Sequence, residues 1–566
     1  MEPIRSLTIP ALLERSCRLF EKRIAMAFVG ETPVNYHDFR KQIDDLSKFL
    51  HARGVSRGDR VAILGENCPH WGIAYFAVAA MGAVVVPILP EFHPADVQHI
   101  IHHSGAAAFF VSERYYQKIE SLDVKAFQCV VLLDTLQPIE ANTPKAGLKR
   151  LMEEGGKGID FIRNLAMKLT GFANPKVGED DLCAIIYTSG TMGRSKGVML
   201  THKNIVWNAQ ASAAIPPITE KDRLLSILPL AHVYECTLGL ILPIMQGASI
   251  WYLRKPPTPS VLLPALAEVK PTAMLTVPLI IEKIYKNRIL PELEGKFSLR
   301  LLCKMPAARK VVMGIIGKKL RTMFGGEMTF FGIGGAAVSA EVEKFLRDAQ
   351  FPYAIGYGLT ETSPLVAGAN AAHTRYRATG PVVSGLEVRI DNPDPKNGEG
   401  EIVVRGASVM KGYYQDPAAT QEALSPDGWF RTGDLGCFDK DGYLFIRGRL
   451  KNVLLGSNGE NIYPETIEAL INRAAYVVES LVLKHGRHLI ARVHLDYEKL
   501  EQEFLNGGLN EQQIRKKIDT LLEKLRREVN QQVASFSRLS KMVEQSEPFE
   551  KTPTQKIKRY LYSQEA

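Results

Sequence analysis

From Trp71 to Pro90 the chain reads WGIAYFAVAAMGAVVVPILP, twenty consecutive residues without a charged side chain. Such a stretch has two places to go. It can cross a bilayer, whose hydrocarbon core takes about 20 residues of helix, or it can lie inside a protein large enough to cover it on every side. The punctuation favours the interior, because Gly82 breaks the run and Pro87 and Pro90 close it. The sequence therefore predicts a buried helix to Met81, a glycine stop, and a strand through Val84-Val85-Val86. A strand that is apolar on both faces belongs to a parallel sheet with helices above and below.

The same alternation runs through most of the chain. Phe39, Ile43, Leu46 and Leu50 mark one face of a helix closed by Gly54, and the strand RVAILG follows at once. AAFFVS (107–112), VVLLD (130–134), AIIYTSG (184–190), LLSILPL (224–230) and MTFFGIGG (328–335) are further apolar runs bounded by Gly, Pro or Asp. Strands separated by helical stretches define an α/β chain with parallel sheets. At 566 residues the chain is too long for one core, and roughly three to four folding units are expected. From about Glu387 short strands and turns (EVRIDN, EIVVRG, YLFIRGR) predict a small β-rich subdomain. After Arg449 a short segment with its own helix and strands, ending in a basic tail, predicts a small α+β C-terminal unit. The expected division is 1–448 and 449–566. Lys145 to Lys176 is polar and Gly-bearing with an amphipathic centre, FIRNLAMKL, as in an inserted surface helix.

Composition narrows the partners. Hydrophobic and charged contents of 46% and 23% are those of a soluble globular protein. Seven scattered cysteines without a CxxC pair argue for a reducing compartment and against a zinc knuckle. The first residues, MEPIRSLTIPALLERS, hold no apolar signal core, so a cytoplasmic location is expected. Much of the net charge of +9 is local: eleven Lys/Arg lie between Lys283 and Arg321, opposed only by Glu292 and Glu294. That stripe suits an anionic membrane surface, an acidic carrier protein or simple solvation. It lacks the aromatic interleaving of a nucleic-acid site, so no DNA or RNA partner is expected.

YTSGTMGRSKGV (187–198) follows a predicted buried strand and packs three glycines, the hydroxyls of Thr188, Ser189 and Thr191, and Lys196 into one loop. Glycines let backbone N–H groups converge, hydroxyls add donors and a lysine adds a point charge, a combination that suits a polyphosphate. It is not a Walker loop, since Lys196 lies between Ser195 and Gly197. The segment resembles the signature YTSGTTGxPKGV of the adenylate-forming superfamily, which includes acyl-CoA synthetases, peptide-synthetase adenylation domains and beetle luciferases. Further signatures follow in family order: PLAHVYE (229–235), GIGGAAVS (332–339), YGLTET (357–362), GEIVVRG (400–406), WFRTGDLG (429–436), RGRLKNVLL (447–455), NGENIYPE (458–465) and EKTPTQKIKR (550–559). The last two look most like the long-chain fatty-acid–CoA ligases.

The resemblance implies a reaction and its residues. A carboxylate attacks the α-phosphorus of ATP, pyrophosphate leaves, and the acyl-AMP is passed to coenzyme A; transfer to an acyl carrier protein would use the same adenylation residues. Thr188, Ser189, Gly190, Thr191 and Lys196 would hold the β- and γ-phosphates. Glu361 would bind Mg²⁺, with Thr188 as a second contact and Thr360 on phosphate; one carboxylate plus substrate oxygens is the usual magnesium mode. Tyr357 and Gly358 would meet adenine on one side and the Gly334-Gly335-Ala336 backbone on the other. Asp434 would accept from the ribose hydroxyls, with Arg449 beside it. His232 would stand at the carboxylate and thioester tunnel, and Lys556 would be the catalytic lysine. Lys451 would be the hinge on which the C-terminal unit turns, and Asn458, Gly459 and Glu460 would line the path of the CoA arm.

Met192 replaces the usual second Thr of the loop, Gln555 the common Gly before the lysine, and Leu455 a lysine found in luciferase-like relatives. Three other patterns are weaker. GVSRG (54–58) has serine-hydrolase spacing but follows a helix. GIGGAA (332–337) resembles a dinucleotide fingerprint, yet Pro352 stands where the ribose-binding acid should be. His99 and His103 have i, i+4 metal spacing on a predicted helix, where a polar face is the simpler reading.

Overall fold

A computed structural model of the chain describes residues 2–120, 122–139, 157–168, 175–188, 195–295, 301, 304–455, 461–474, 476–486, 488–504, 511–552 and 556–562. The uncharged stretch resolves into a helix, Pro69–Ala80, and a strand, Val84–Ile88, with every residue of the strand buried. The Cys68 thiol caps the helix by accepting from the Trp71 N–H, and Gly82 turns the chain at φ +76°. The helix is apolar all round because it lies between two sheets, touching Val84–Ile88 and Arg60–Leu64 on one side and Ile24–Phe28 on the other. No described helix is long and apolar enough to cross a membrane.

Both of those sheets have eight strands. In the first, Leu182–Thr188, Val84–Ile88, Arg60–Leu64, Ala106–Val111 and Cys129–Leu132 run parallel. Lys196–Thr201 turns back antiparallel on Leu182–Thr188, and Gly412–Tyr413 adds to its outer edge. In the second, Tyr353–Gly358, Phe330–Ile333, Ala273–Thr276, Arg223–Ser226, Ser249–Tyr252 and Ile24–Phe28 are parallel neighbours. Ligands of such sheets gather outside the carboxyl ends of the strands, and there the chain places Thr188, the Gly334-Gly335 turn and Gly358. A third sheet, wholly antiparallel, joins Gly380–Pro381, Tyr443–Arg449, Phe430–Phe438, Gly400–Arg405 and Glu387–Asp391.

The smaller C-terminal unit has its own core. Helices Pro464–Ile471 and Glu511–Asn530 cover one face of the sheet Val477–His485, His488–Leu495, Leu539–Glu544. Leu481, Leu483, Phe549 and Tyr562 form a second small cluster. That cluster anchors the tail: the Glu550 N–H donates to Tyr562 Oη at 2.8 Å, Lys551 pairs with Glu479, and Arg559 pairs with Glu468. Lys551 bridges to Ile557, and the Thr552 N–H donates to the Lys556 carbonyl at 2.7 Å, so Lys556 rides on a fastened loop. Two side chains tie this unit to the larger one. Lys286 Nζ donates to the carbonyls of Ala474 (3.0 Å) and Val477 (2.8 Å), and Tyr463 Oη donates to Glu399 Oε2 (2.7 Å).

Candidate active site

Thr188 and Lys196 face each other in register at the end of an antiparallel pair. Ser189, Gly190, Thr191 and Met192 fall outside the described residues, as do Asn458, Gly459, Glu460 and Gln555. Lys196 Nζ stands 4.8 Å from the centre of the Tyr413 ring, and Tyr413 Oη donates to Glu361 Oε1 at 2.9 Å. Burial, with Glu361 beside it, pushes the Tyr413 phenol well above its ordinary value, so it stays a donor. Glu361 Oε2 faces no other partner among the described residues and is free for a cation. No group of three or more metal-ligating side chains occurs among the described residues. Glu361 thus fits a hard cation whose remaining ligands come from phosphate and water, the magnesium mode.

The loop that carries Glu361 is held tightly. The Leu359 N–H donates to Thr362 Oγ1 at 3.0 Å, Thr362 Oγ1 donates to the Pro364 carbonyl at 2.6 Å, and the Met410 N–H donates to the Glu361 carbonyl at 2.8 Å. Thr360 precedes Glu361 in this turn. A Cβ on Gly358 would stand 2.0 Å from the Pro364 carbonyl oxygen, a backbone atom that cannot step aside. Gly358→Ala should therefore cost about 1–3 kcal/mol of stability by overpacking and weaken nucleotide binding as the loop shifts. Thermal melting and ATP titration check this; an unchanged variant would show that the loop gives freely.

Across the cleft, Asp434 and Arg449 are direct partners on adjacent antiparallel strands. The Asp434 carboxylate is only 5% exposed and accepts from Tyr357 Oη at 2.8 Å and from Arg449 Nε at 2.9 Å. Asp434 in turn raises the Arg449 guanidinium, which stays charged. Lys556 enters this field from the C-terminal unit. It is open to water along the cleft, yet protein stands round it on most sides. Burial and then Arg449 lower its ammonium group below the usual value, while Asp434 and Glu361 oppose that shift. Its influence reaches His232, which burial, with Lys556 adding to it, lowers to about 4. His232 is therefore neutral at ordinary pH, and its Nδ1 accepts from the Tyr234 N–H at 3.2 Å, which leaves the proton to Nε2. Residues from the large unit and from the tail thus converge: Lys556, Asp434, Arg449, Glu361, Tyr357 and His232. Lys451 lies in the short turn Leu450–Asn452, exposed and just beyond Arg449.

Three residues that the sequence did not single out shape the same cleft. Tyr234 lies on the glycine strip: a Cβ on Gly334 would come within 3.0 Å of its ring, and one on Gly332 within 3.1 Å of its hydroxyl. Tyr234 thus covers Gly334 of the Gly334-Gly335-Ala336 backbone. Tyr413, which bridges Lys196 and Glu361, had no local signal, because its place depends on a strand pairing distant in sequence. Glu235 sits inside the PLAHVYE motif, opens a π-helix (Glu235–Ile241) and is 2% exposed. Ser226 Oγ donates to its Oε1 at 2.6 Å, and Oε2 has no hydrogen-bond partner among the described residues.

Burial raises the Glu235 carboxyl from 4.5 to about 8. Between those values the native state holds a proton that the unfolded chain has lost, so this residue's share of stability falls as pH rises. Glu235→Gln should remove that dependence, and the gap between wild type and variant should narrow by at most about 1.4 kcal/mol per pH unit. Denaturation midpoints at mildly acidic and mildly alkaline pH decide it; parallel curves would mean an ionised Glu235.

Residues 13–414 match the model of the AMP-binding enzyme family. The long-chain-fatty-acid–CoA ligase FadD15 of Mycobacterium bovis is 31% identical over 494 residues, 83% of this chain and 78% of that protein. A feruloyl-CoA synthase of Amycolatopsis is 30% identical over 445 residues, 78% of each chain. Among solved structures, ATP-bound MatB from Rhodopseudomonas palustris superposes with a TM-score of 0.73 over 98% of both chains, at 24% identity. That similarity speaks to the fold.

Proposed function

This chain belongs to the AMP-binding enzyme family, and from that premise we propose that it is a fatty-acid–CoA ligase acting on long-chain acids through an acyl-adenylate. One observation carries the reading: a lysine from the tail, Lys556, shares a cleft with Asp434, Arg449 and Glu361 of the large unit. An ammonium group in the field of two carboxylates suits the place where a substrate carboxylate meets an α-phosphate, because both gain negative charge as the bond forms. Family membership carries the ligase chemistry. The long acyl chain is the finer step, supported by the FadD15 likeness and opposed by the equally similar feruloyl-CoA synthase.

In this reading Thr188, Ser189, Gly190, Thr191 and Lys196 bind the β- and γ-phosphates, with Thr360 on phosphate. Glu361, with Thr188, would hold Mg²⁺, which supplies charge neutralisation for the leaving pyrophosphate. Tyr357 and Gly358 face adenine opposite Gly334-Gly335-Ala336, once the Tyr234 ring has moved aside. Asp434 accepts from the ribose diol while Arg449 fixes it. Neutral His232 orients the acid and later the thioester without competing with Lys556 as a second cation. The chain then divides at 448/449, with Lys451 as the hinge; the C-terminal unit turns, Lys556 withdraws, and Asn458, Gly459 and Glu460 meet the arm of CoA. The six described free cysteines fit a reducing, cytoplasmic setting.

The test is pyrophosphate release with ATP and Mg²⁺ across acids from acetate to long-chain species and ferulate, followed by offering CoA or acyl carrier protein to the adenylate formed. Release that grows with chain length, and thioester with CoA, is the expected outcome. A preference for ferulate would move the substrate to aromatic acids, and no release with any acid would overturn the ligase reading. A pocket gains only about 0.8 kcal/mol per methylene, so neighbouring chain lengths should differ by a few fold at most.

A further inference from the structure

The basic stripe of the sequence separates, in three dimensions, into engaged and idle cations. Lys286 holds the C-terminal unit, Arg309 pairs with Asp348, Lys319 pairs with Glu292, and Arg321 donates to the Gln350 carbonyl. Lys304, Lys310 and Lys318 are exposed and have no ion-pair partner among the described residues. They lie on or just before the helix Pro306–Met323, whose inner face packs Met313, Ile316 and Leu320 into a core with Phe324 and Phe351. The outer face is also apolar. Val311 and Ile315, four residues apart, are 64% and 56% exposed, and Met305 and Leu301 just upstream are 52% and 55% exposed. Ala307 and Gly314 complete that face, with no carboxylate on it.

We propose that the outer face of Pro306–Met323 docks on an anionic lipid bilayer, the aliphatic side chains entering the headgroup boundary and the lysines meeting lipid phosphates. The composition separates this occupant from the others. Protein interfaces are enriched in Arg and aromatic anchors and depleted in Lys; this face carries aliphatic residues, lysines and Thr322 without an aromatic, and Arg321 at its edge is engaged with the Gln350 carbonyl. A second copy of the chain would set lysines against lysines, a like-charge contact. A bilayer satisfies both halves at once, because lysine stems lie along apolar surface while their heads stay in the polar layer. This inference is independent of the acid that the enzyme activates.

The experiment is co-sedimentation of the full chain with phosphatidylcholine vesicles, with and without phosphatidylglycerol, at low and high salt. Binding to the anionic vesicles alone, weakened by salt, is the expected result. Each of Lys304→Ser, Lys310→Ser and Lys318→Ser should weaken it about fivefold. The double variant Val311→Asp, Ile315→Asp should weaken it at least about tenfold, with the melting temperature and pyrophosphate release from a soluble acid unchanged. The proposal is overturned if the wild type ignores anionic vesicles, if it binds neutral ones equally well, or if the double variant binds as before. It is also overturned if the double variant instead converts a solution dimer to monomer, or abolishes capture by an acidic carrier protein.

Discussion

Replacing Lys556 with alanine should slow acyl-adenylate formation by on the order of 10²–10³ while leaving ATP affinity almost unchanged. The lysine is delivered to the cleft by the tail, and its loop is fastened at Lys551, Thr552 and Arg559 independently of its own ammonium group. Truncating the side chain removes a charge without unseating the loop. In the proposed reading ATP is held by other residues, Thr188 and Lys196 and the Tyr357–Asp434 pair, so binding should survive. Exchange of labelled pyrophosphate into ATP measures the first effect and equilibrium titration the second; loss of ATP binding would mean that Lys556 is a nucleotide anchor instead. Since the surrounding protein and Arg449 hold the ammonium below its usual value, the alkaline limb of the wild-type rate should fall earlier than a lysine in bulk water would allow. The group is active as a cation, so activity is present below that lowered value and lost as pH rises through it.

Asp434→Ala should weaken ATP binding by about 10²-fold, the loss of roughly two charge-assisted hydrogen bonds to a ribose diol. Its effects also spread through the groups it holds. Tyr357 loses the acceptor of its hydroxyl, and Arg449 loses its partner on the neighbouring strand. Lys556 loses one of the two carboxylates that oppose its deprotonation, so the alkaline limb should move further toward neutral pH. Asp434→Asn, which keeps one oxygen acceptor, should fall between. An ATP dissociation constant equal to that of the wild type in Asp434→Ala would remove this residue from the nucleotide site.

Much of the fold was written in local pattern. The stretch from Trp71 to Pro90 yielded its helix, its glycine turn and its strand because burial on all sides leaves no polar ambiguity. Other strands end sooner than their apolar runs. LLSILPL is a strand only through Ser226, because Asn67 then takes over: its Nδ2 donates to the Leu228 carbonyl and its Oδ1 accepts from the Leu230 N–H. No reading of those seven residues could contain Asn67. The glycines of GIGGAA are similar; one reason for them is the Tyr234 ring, supplied from far upstream. His99 and His103 show the opposite case, a local spacing that tertiary structure uses otherwise, since His103 Nδ1 lies 2.7 Å from Tyr187 Oη. The candidate site residues stand in recognisable motifs, whereas the contacts between them, Tyr413 on Glu361 and Tyr357 on Asp434, join segments distant in sequence.

The seam between the two units is stitched by Lys286 and Tyr463 through three hydrogen bonds. At about 0.5–1.5 kcal/mol each, such stitches rival only a few thermal quanta. Their acceptors are two main-chain carbonyls and a single carboxylate, none dependent on which acid occupies the tunnel. In the proposed reading, in which the small unit turns between the two half-reactions, these contacts oppose the turn equally for every acid, so discrimination among acids would fall to the steps before it.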